Sequence, residues 1–348
     1  MGGQGGEHDR SENWVGRVAV LGVVLTVAIV AAGAYLLTSN RVPDPSEDDL
    51  VPRDWGADIG PDESNIAYGP DLGCPGTSSD EACGGSQELD VYLPLTEERR
   101  GTVVFFHGGG FQKGDKAPLD GLGNIKRQLD RGFGLVSANY RLTDTDAGEN
   151  GFPDAVEDVV SVLEWVEREG PEYGLDNSVI ITAGASAGGT LAGLAGTTAN
   201  SDDPVFAEMP TVDGWISVSG IMTWEGGPQS EGWIGMWLGD RYPARRDTAS
   251  VTEHIDGDDP PGYLTHGGSD TFVEPSNAAM AEEQVGILTE LEIWRDLGTL
   301  TIDIVDDFED GRPMTENIEH SPLGGANASV MDDWIDGVVE RSTGAANT

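Results

Sequence analysis

Five residues, Gly184-Ala185-Ser186-Ala187-Gly188, have the types and spacing for nucleophilic acyl transfer. They follow an apolar β-type run, Val179-Ile180-Ile181-Thr182, and open onto a small-residue helical stretch from Gly189 to Leu194. A G-x-S-x-G string between a strand and a helix holds its serine on a sharp, strained elbow with the hydroxyl exposed. The flanking glycines are needed because strand and helix approach too closely there for a Cβ. A serine hydroxyl is a poor nucleophile by itself, so the chemistry requires a base and a set of donors for the developing oxyanion.

A source of donors lies upstream. Thr102-Val103-Val104-Phe105-Phe106 reads as a buried strand running into His107-Gly108-Gly109-Gly110-Phe111. Glycine lets a backbone turn its amides inward and approach a substrate closely. The expected oxyanion donors are the backbone N–H groups of Ala187, Gly108 and Gly109, with His107 a structural member of the loop. Among the five histidines, His8 lies in a polar tail, His254 in an acidic loop, and His266 at the end of the run Gly262-Tyr263-Leu264-Thr265. His320 remains as the expected base; it follows the strand-like Leu300 to Val305 and precedes a final helical pattern. Asp270, in the loop after His266-Gly267-Gly268-Ser269, is the expected acid that orients the imidazole. Glu274 and His266 are the alternative acid and base.

These segments, in this order, resemble the α/β-hydrolase serine esterases, in the branch of hormone-sensitive-lipase-like and feruloyl-esterase-like carboxylesterases. Leu89-Asp90-Val91-Tyr92-Leu93-Pro94 looks like that family's early strand, and His107-Gly108-Gly109-Gly110 like its oxyanion loop. Asn139-Tyr140-Arg141-Leu142 looks like its Y-R-L segment, and Phe152-Pro153-Asp154-Ala155 like the start of its next helix. Ser186-Ala187-Gly188-Gly189 matches the elbow, and His266 to Asp270 the acid loop. The resemblance covers roughly residues 65–342. It implies ester hydrolysis on a small-molecule substrate without metal or organic cofactor. Three departures are visible: Ala185 stands where relatives often carry Asp or His, His320 is followed by Ser321-Pro322 rather than Gly or Ala then Phe, and the loop from Asp306 to Glu319 is long and acidic for this position. Two other readings stay open: an amidase, peptidase or arylformamidase-like enzyme with the same triad, and a membrane-tethered binding module on a silent hydrolase fold.

The elements that must position these residues alternate. The run Gly134 to Ala138 reads as a strand, followed by a helix from Pro153 to about Arg168 with Val156, Val159, Leu163 and Val166 on one face. The elbow strand and its helix come next, then a strand over Gly214 to Val218. Alternating β and α units predict an α/β-hydrolase fold, a mostly parallel sheet covered by helices on both faces. Residues 221–259 interrupt the alternation with Met222, Trp224, Trp233, Met236 and Trp237. That segment reads either as a cap over an acyl pocket, with the tryptophans as its wall, or as an excursion packed on the domain.

Outside residues 65–348, the expected catalytic domain, three features stand apart. Residues 18–37 are twenty positions without a charge, after a polar tail over 1–17, long enough to span a bilayer. The expectation is a single-pass anchor with the catalytic domain outside the cell, and the alternative is a cleaved signal peptide at Ala32-Gly33-Ala34. Residues 38–64, rich in Pro, Asp and Glu, read as a solvated linker. Within the domain, Cys74 and Cys83 enclose a short loop and in an exported protein are expected to form a disulfide, with two unpaired thiols as the alternative.

Charge excludes one class of partner. Sixty-two acidic residues face nineteen basic ones, a net charge of −43, and only Lys113, Lys116 and Lys126 are lysines. No basic patch for nucleic acid is visible. The composition resembles that of extreme halophiles, so folding and activity are expected to need molar salt, which screens self-repulsion within about 3 Å. Oligomeric state is not legible.

Overall fold

The computed structural model describes residues 59–69, 87–117, 123–146, 148–224, 228–241, 244–267, 270, 273, 281, 300–305 and 328–345. The chain divides into two units, 1–44 and 45–348, and all described residues belong to the second. The apolar run 18–37, Cys74, Cys83, Glu274 and His320 lie outside the described residues. Among the described residues no helix is long and apolar enough to cross a membrane.

Eight strands form one sheet: β1 (Glu63–Ala67), β2 (Glu88–Tyr92), β3 (Gly101–Phe106), β4 (Phe133–Ala138), β5 (Ile180–Ala185), β6 (Gly214–Val218), β7 (Gly262–Gly267) and β8 (Leu300–Val305). Their order across the sheet is β1-β2-β4-β3-β5-β6-β7-β8. β1 and β2 pair antiparallel with their neighbours, and the six strands from β4 to β8 are parallel. Asp62, inside the stretch read as linker, already bonds to the sheet: its N–H donates to the Val91 carbonyl at 2.8 Å, and its carboxylate accepts the Leu93 N–H at 2.7 Å.

Among the described residues five α-helices accompany the strands: the short α1 (Gly123–Lys126), α2 (Asp154–Arg168), α3 (Ala187–Thr197), α4 (Pro228–Leu238) and α5 (Ala328–Ala345). The expected helix after Pro153 is α2. It buries Val156, Val159, Val162, Leu163 and Val166, the face the 3.6-residue period marks out. Because successive strand residues face opposite ways, β3 splits its side chains between two cores. Val104 and Phe106 join one with α2 and α3, while Val103 and Phe105 join the other with Ile125, Leu129, Met331, Trp334, Ile335 and Val338. A fully buried aliphatic side chain contributes about 1.5–3 kcal/mol, so both layers are needed to hold the sheet.

Ion pairs fasten α5 at one edge. Arg131 reaches Asp332 at 2.9 Å and Asp336 at 2.6 Å; Arg127 meets Asp332 at 2.6 Å, and Arg100 meets Asp336 at 2.6 Å. Three guanidinium groups shared by two carboxylates form a network, the arrangement in which charge pairs contribute most. Burial nonetheless pushes the Asp332 carboxyl above its ordinary value, against the pull of these arginines.

β7 is entered through the acidic turn Asp256-Gly257-Asp258-Asp259. Burial is the first cause, and the neighbouring carboxylates of Asp256 and Asp258 a further one, that pushes the Asp259 carboxyl up to about 8. The folded state therefore holds a proton there that the unfolded chain releases near the ordinary carboxyl value of 3.8. With more protons bound when folded, stability falls as pH rises between these two values. Asp259→Asn removes that penalty while keeping an oxygen for the Asp256 N–H, which Asp259 accepts at 2.8 Å. At fixed salt, thermal unfolding should show the variant raised by about 2–4 °C at pH 8 and unchanged near pH 4.

Candidate active site

The order of the sheet reverses at β3: the chain leaves it for β4 on one side and returns to β5 on the other. In open parallel sheets this switch point leaves a crevice outside the carboxyl ends of the two strands. β3 and β5 end level, with Phe106 opposite Gly184. The loop from His107 and the elbow at Ser186 emerge side by side. Ala185 is level with Val218, and Val218 with Thr265, so the segments after β6 and β7, including Asp270, leave from the same edge.

Ser186 has φ 52° and ψ −119°. A non-glycine residue rarely adopts this left-handed region, and the surrounding structure must hold it there. Its N–H donates to the Val218 carbonyl at 2.7 Å, and its carbonyl accepts from the Thr190 N–H at 3.1 Å, the first turn of α3. The glycines are required by space. A Cβ on Gly184 would strike the Gly188 carbonyl, and one on Gly188 would strike the Phe106 carbonyl. Thr190 ties the first turn of α3 to the segment after β6, its hydroxyl donating to the Ile221 carbonyl at 3.0 Å.

The glycine loop lies against this elbow. A Cβ on Gly108 would lie 3.0 Å from the Ala185 carbonyl oxygen and 3.3 Å from the Ser186 Cβ. Gly109 has φ 126°, and its carbonyl accepts the N–H groups of Gln112 and Lys113, each at 3.2 Å. That tight turn leads into Phe111, itself at φ 61°.

His107 serves the loop as a structural residue. Its ring stacks on Tyr140 with centroids 4.4 Å apart, and the Tyr140 hydroxyl donates to the His107 carbonyl at 2.8 Å. Nδ1 sits 2.7 Å from the Gly108 carbonyl oxygen; an acceptor there requires Nδ1 to carry the hydrogen. Burial drives the imidazole below its ordinary value, outweighing the hydrogen bond to Gly108, so it is neutral near pH 7. The role of Tyr140 was not legible beyond its place in the Y-R-L segment. Its neighbour Arg141 is equally structural: the backbone N–H and Nε donate to the fully buried Asp158 at 2.6 and 3.0 Å.

Trp224 and Trp237 belong to one aromatic cluster, their ring centroids 5.9 Å apart. Both are buried, and Trp237 stacks on Phe111 with centroids 3.9 Å apart and planes 4° from parallel. Phe152 meets Trp237 edge-on at 5.1 Å, and the Trp224 indole N–H donates to the Ala249 carbonyl at 2.7 Å. Through Phe111 this packing holds the glycine loop. Trp233 lies on α4, and its side chain is outside the described residues.

Asp270 is buried and accepts the Val273 N–H at 3.0 Å. The histidine beside it is His266, whose Nε2 lies 3.3 Å from Asp270 Oδ2 and 2.8 Å from the Val273 carbonyl oxygen. His266 is buried with Nε2 committed to these two acceptors.

A strained serine elbow at the switch point of a mostly parallel sheet, faced by a glycine loop, is an α/β-hydrolase fold. The BD-FAE family model matches residues 89–285, more than half of the chain, and the chain belongs to that family. Among curated proteins it is similar to esterase LipC of Mycobacterium tuberculosis, 28% identical over 228 residues, which cover 58% of this chain and 55% of that protein. Esterase LipI of the same organism is 38% identical over 109 residues, 30% of this chain and 32% of that protein. The chain thus matches about half the length of the first and a third of the second. Among solved structures, esterase B from Lactobacillus Rhamnosis superposes with a TM-score of 0.60 at 20% identity, covering 95% of this chain and 98% of that one.

The glycine contacts yield a paired test. Gly188→Ala drives a Cβ into the Phe106 carbonyl and should cost more than about 3 kcal/mol or prevent folding. Gly232→Ala, on α4 with open space around the new Cβ, should stabilise by up to about 1 kcal/mol. Denaturant midpoints of the two variants check both signs.

Proposed function

We propose that this protein hydrolyses carboxylic esters through Ser186, His320 and Asp270. The observation that carries the reading is the close approach of Gly108 to the strained Ser186 elbow at a strand–helix turn. The esterase names of LipC and LipI support the same chemistry.

In the proposed reaction Ser186 Oγ attacks the ester carbonyl carbon while His320 takes its proton, and Asp270 holds the imidazole and stabilises its charged form. The carbonyl electron pair moves onto oxygen, where the N–H groups of Ala187, Gly108 and Gly109 receive it. Each such donor is commonly worth about 2.7–4 kcal/mol in the transition state. The intermediate collapses, the alcohol leaves with the proton from His320, and the acyl group stays on Ser186. Water, deprotonated by His320, then releases the carboxylic acid and restores the hydroxyl.

Salt is part of the proposal. With a net charge of −43, and with Lys116 and Lys126 buried, the acidic surface has few cations to neutralise it. Mobile counterions supply the screening. We also infer from residues 18–37 that the enzyme is tethered to the membrane with its catalytic unit outside; release from washed membranes by detergent alone tests this.

Hydrolysis of p-nitrophenyl esters of increasing acyl length, in about 2 M salt, tests the reaction. The wild-type chain should turn over, and Ser186→Ala and His320→Ala should each lose roughly 10⁴-fold or more in kcat. Folded wild-type protein without turnover would overturn the proposal. Lowering the salt to about 0.1 M should lower the thermal midpoint and activity together; a midpoint independent of salt would remove the halophilic part.

A further inference from the structure

His266 is the penultimate residue of β7 and is only 2% exposed. Its Nε2 faces two oxygens, the Val273 carbonyl at 2.8 Å and Asp270 Oδ2 at 3.3 Å. A carbonyl oxygen can only accept, so Nε2 carries a hydrogen. That hydrogen is directed chiefly at Val273, and the carboxylate lies within reach as a second acceptor. Asp270 closes the figure from the other side, its Oδ1 accepting the Val273 N–H at 3.0 Å. Both carboxylate oxygens therefore have a fixed donor nearby: a backbone amide for Oδ1 and an imidazole on the end of a sheet strand for Oδ2.

We infer that His266 is a positioning residue for Asp270. The inference rests on the reading of Asp270 as the acid of the triad. A buried carboxylate on a loop has a rotational freedom that the sheet does not limit. Bridging it to β7 through one rigid ring transmits the fixed position of the strand end to the carboxylate. His266 sits in register with Ile304 of β8, and the residue before it, Thr265, with Val218 of β6, so the sheet holds its backbone. The imidazole thus sets which way the Asp270 carboxylate points, and so how the catalytic imidazole is held. Misplacing a reacting group by about 1 Å can cost as much as 10²-fold in rate.

The test uses the full chain in molar salt, with p-nitrophenyl butyrate as the substrate. His266→Phe keeps a flat ring and removes the donor, while His266→Gln keeps a donor at similar reach. The Phe variant should lose about tenfold or more in kcat with KM unchanged, and Gln should recover most of that loss. His266→Met, matched in length to Gln, replaces Phe if the Phe variant does not fold. The decisive comparison adds Asp270→Asn, alone and combined with the donor-free variant. If His266 acts through Asp270, the double variant is no slower than Asp270→Asn alone. Losses that multiply, or a donor-free variant at wild-type rate, overturn the inference. A wild-type rate for Asp270→Asn itself overturns instead the assignment of Asp270 as the acid.

Discussion

The structure depends on one close backbone approach. The elbow brings the end of β5, the start of α3 and the end of β3 within contact distances that no Cβ could occupy: Gly184 lies against Gly188, and Gly188 against Phe106. That approach holds Ser186 in the left-handed region, at the end of β5 beside the crevice between β3 and β5. The strain is held by bonds from three directions, through Val218 of β6, Thr190 of α3 and the packed glycines. Any larger residue at these glycines would push the helix off the sheet, and the hydrophobic layer of α2 and α3 with it.

The glycine loop is gripped at two points by aromatic rings. His107 is held by stacking on Tyr140 and by the hydroxyl bond to its carbonyl. Four residues on, Phe111 is held by the Trp237 stack, and its carbonyl accepts the Thr143 N–H at 2.7 Å. Glycines alone would leave Gly108, Gly109 and Gly110 free to sample many conformations. Fixing both ends in the core limits that freedom and holds the loop against the Ser186 elbow. The aromatic segment after β6 therefore holds the glycine loop from behind.

Electrostatics follow a division of labour. Cations are scarce, and many are committed to particular carboxylates: Arg141 to Asp158, Lys116 to Asp90, and Arg127, Arg131 and Arg100 to the α5 pair Asp332 and Asp336. Asp158 is fully buried and would be costly without its guanidinium partner. The remaining acids outnumber the cations left for them, and their mutual repulsion falls to the solvent to screen.

The sequence by itself determined the elements and their order. The period of α2, the apolar runs of β3 to β8 and the alternation of strand and helix were legible because each follows from local spacing. Ser186 and the glycine loop were legible too, since their glycines answer a local steric demand. What only the tertiary structure decided is which residues meet. The stack of Phe111 on Trp237 joins residues over a hundred positions apart, and nothing local marks Trp237 as a support rather than a pocket wall. The Tyr140–His107 stack and the Arg141–Asp158 pair are likewise contacts across chain crossings. Asp270 was singled out from its loop, yet its nearness to His266 depends on how residues 266 to 273 fold back on the end of β7. Sequence spacing fixes direction along an element; partners across elements are fixed only when the sheet order and the two hydrophobic layers bring them together.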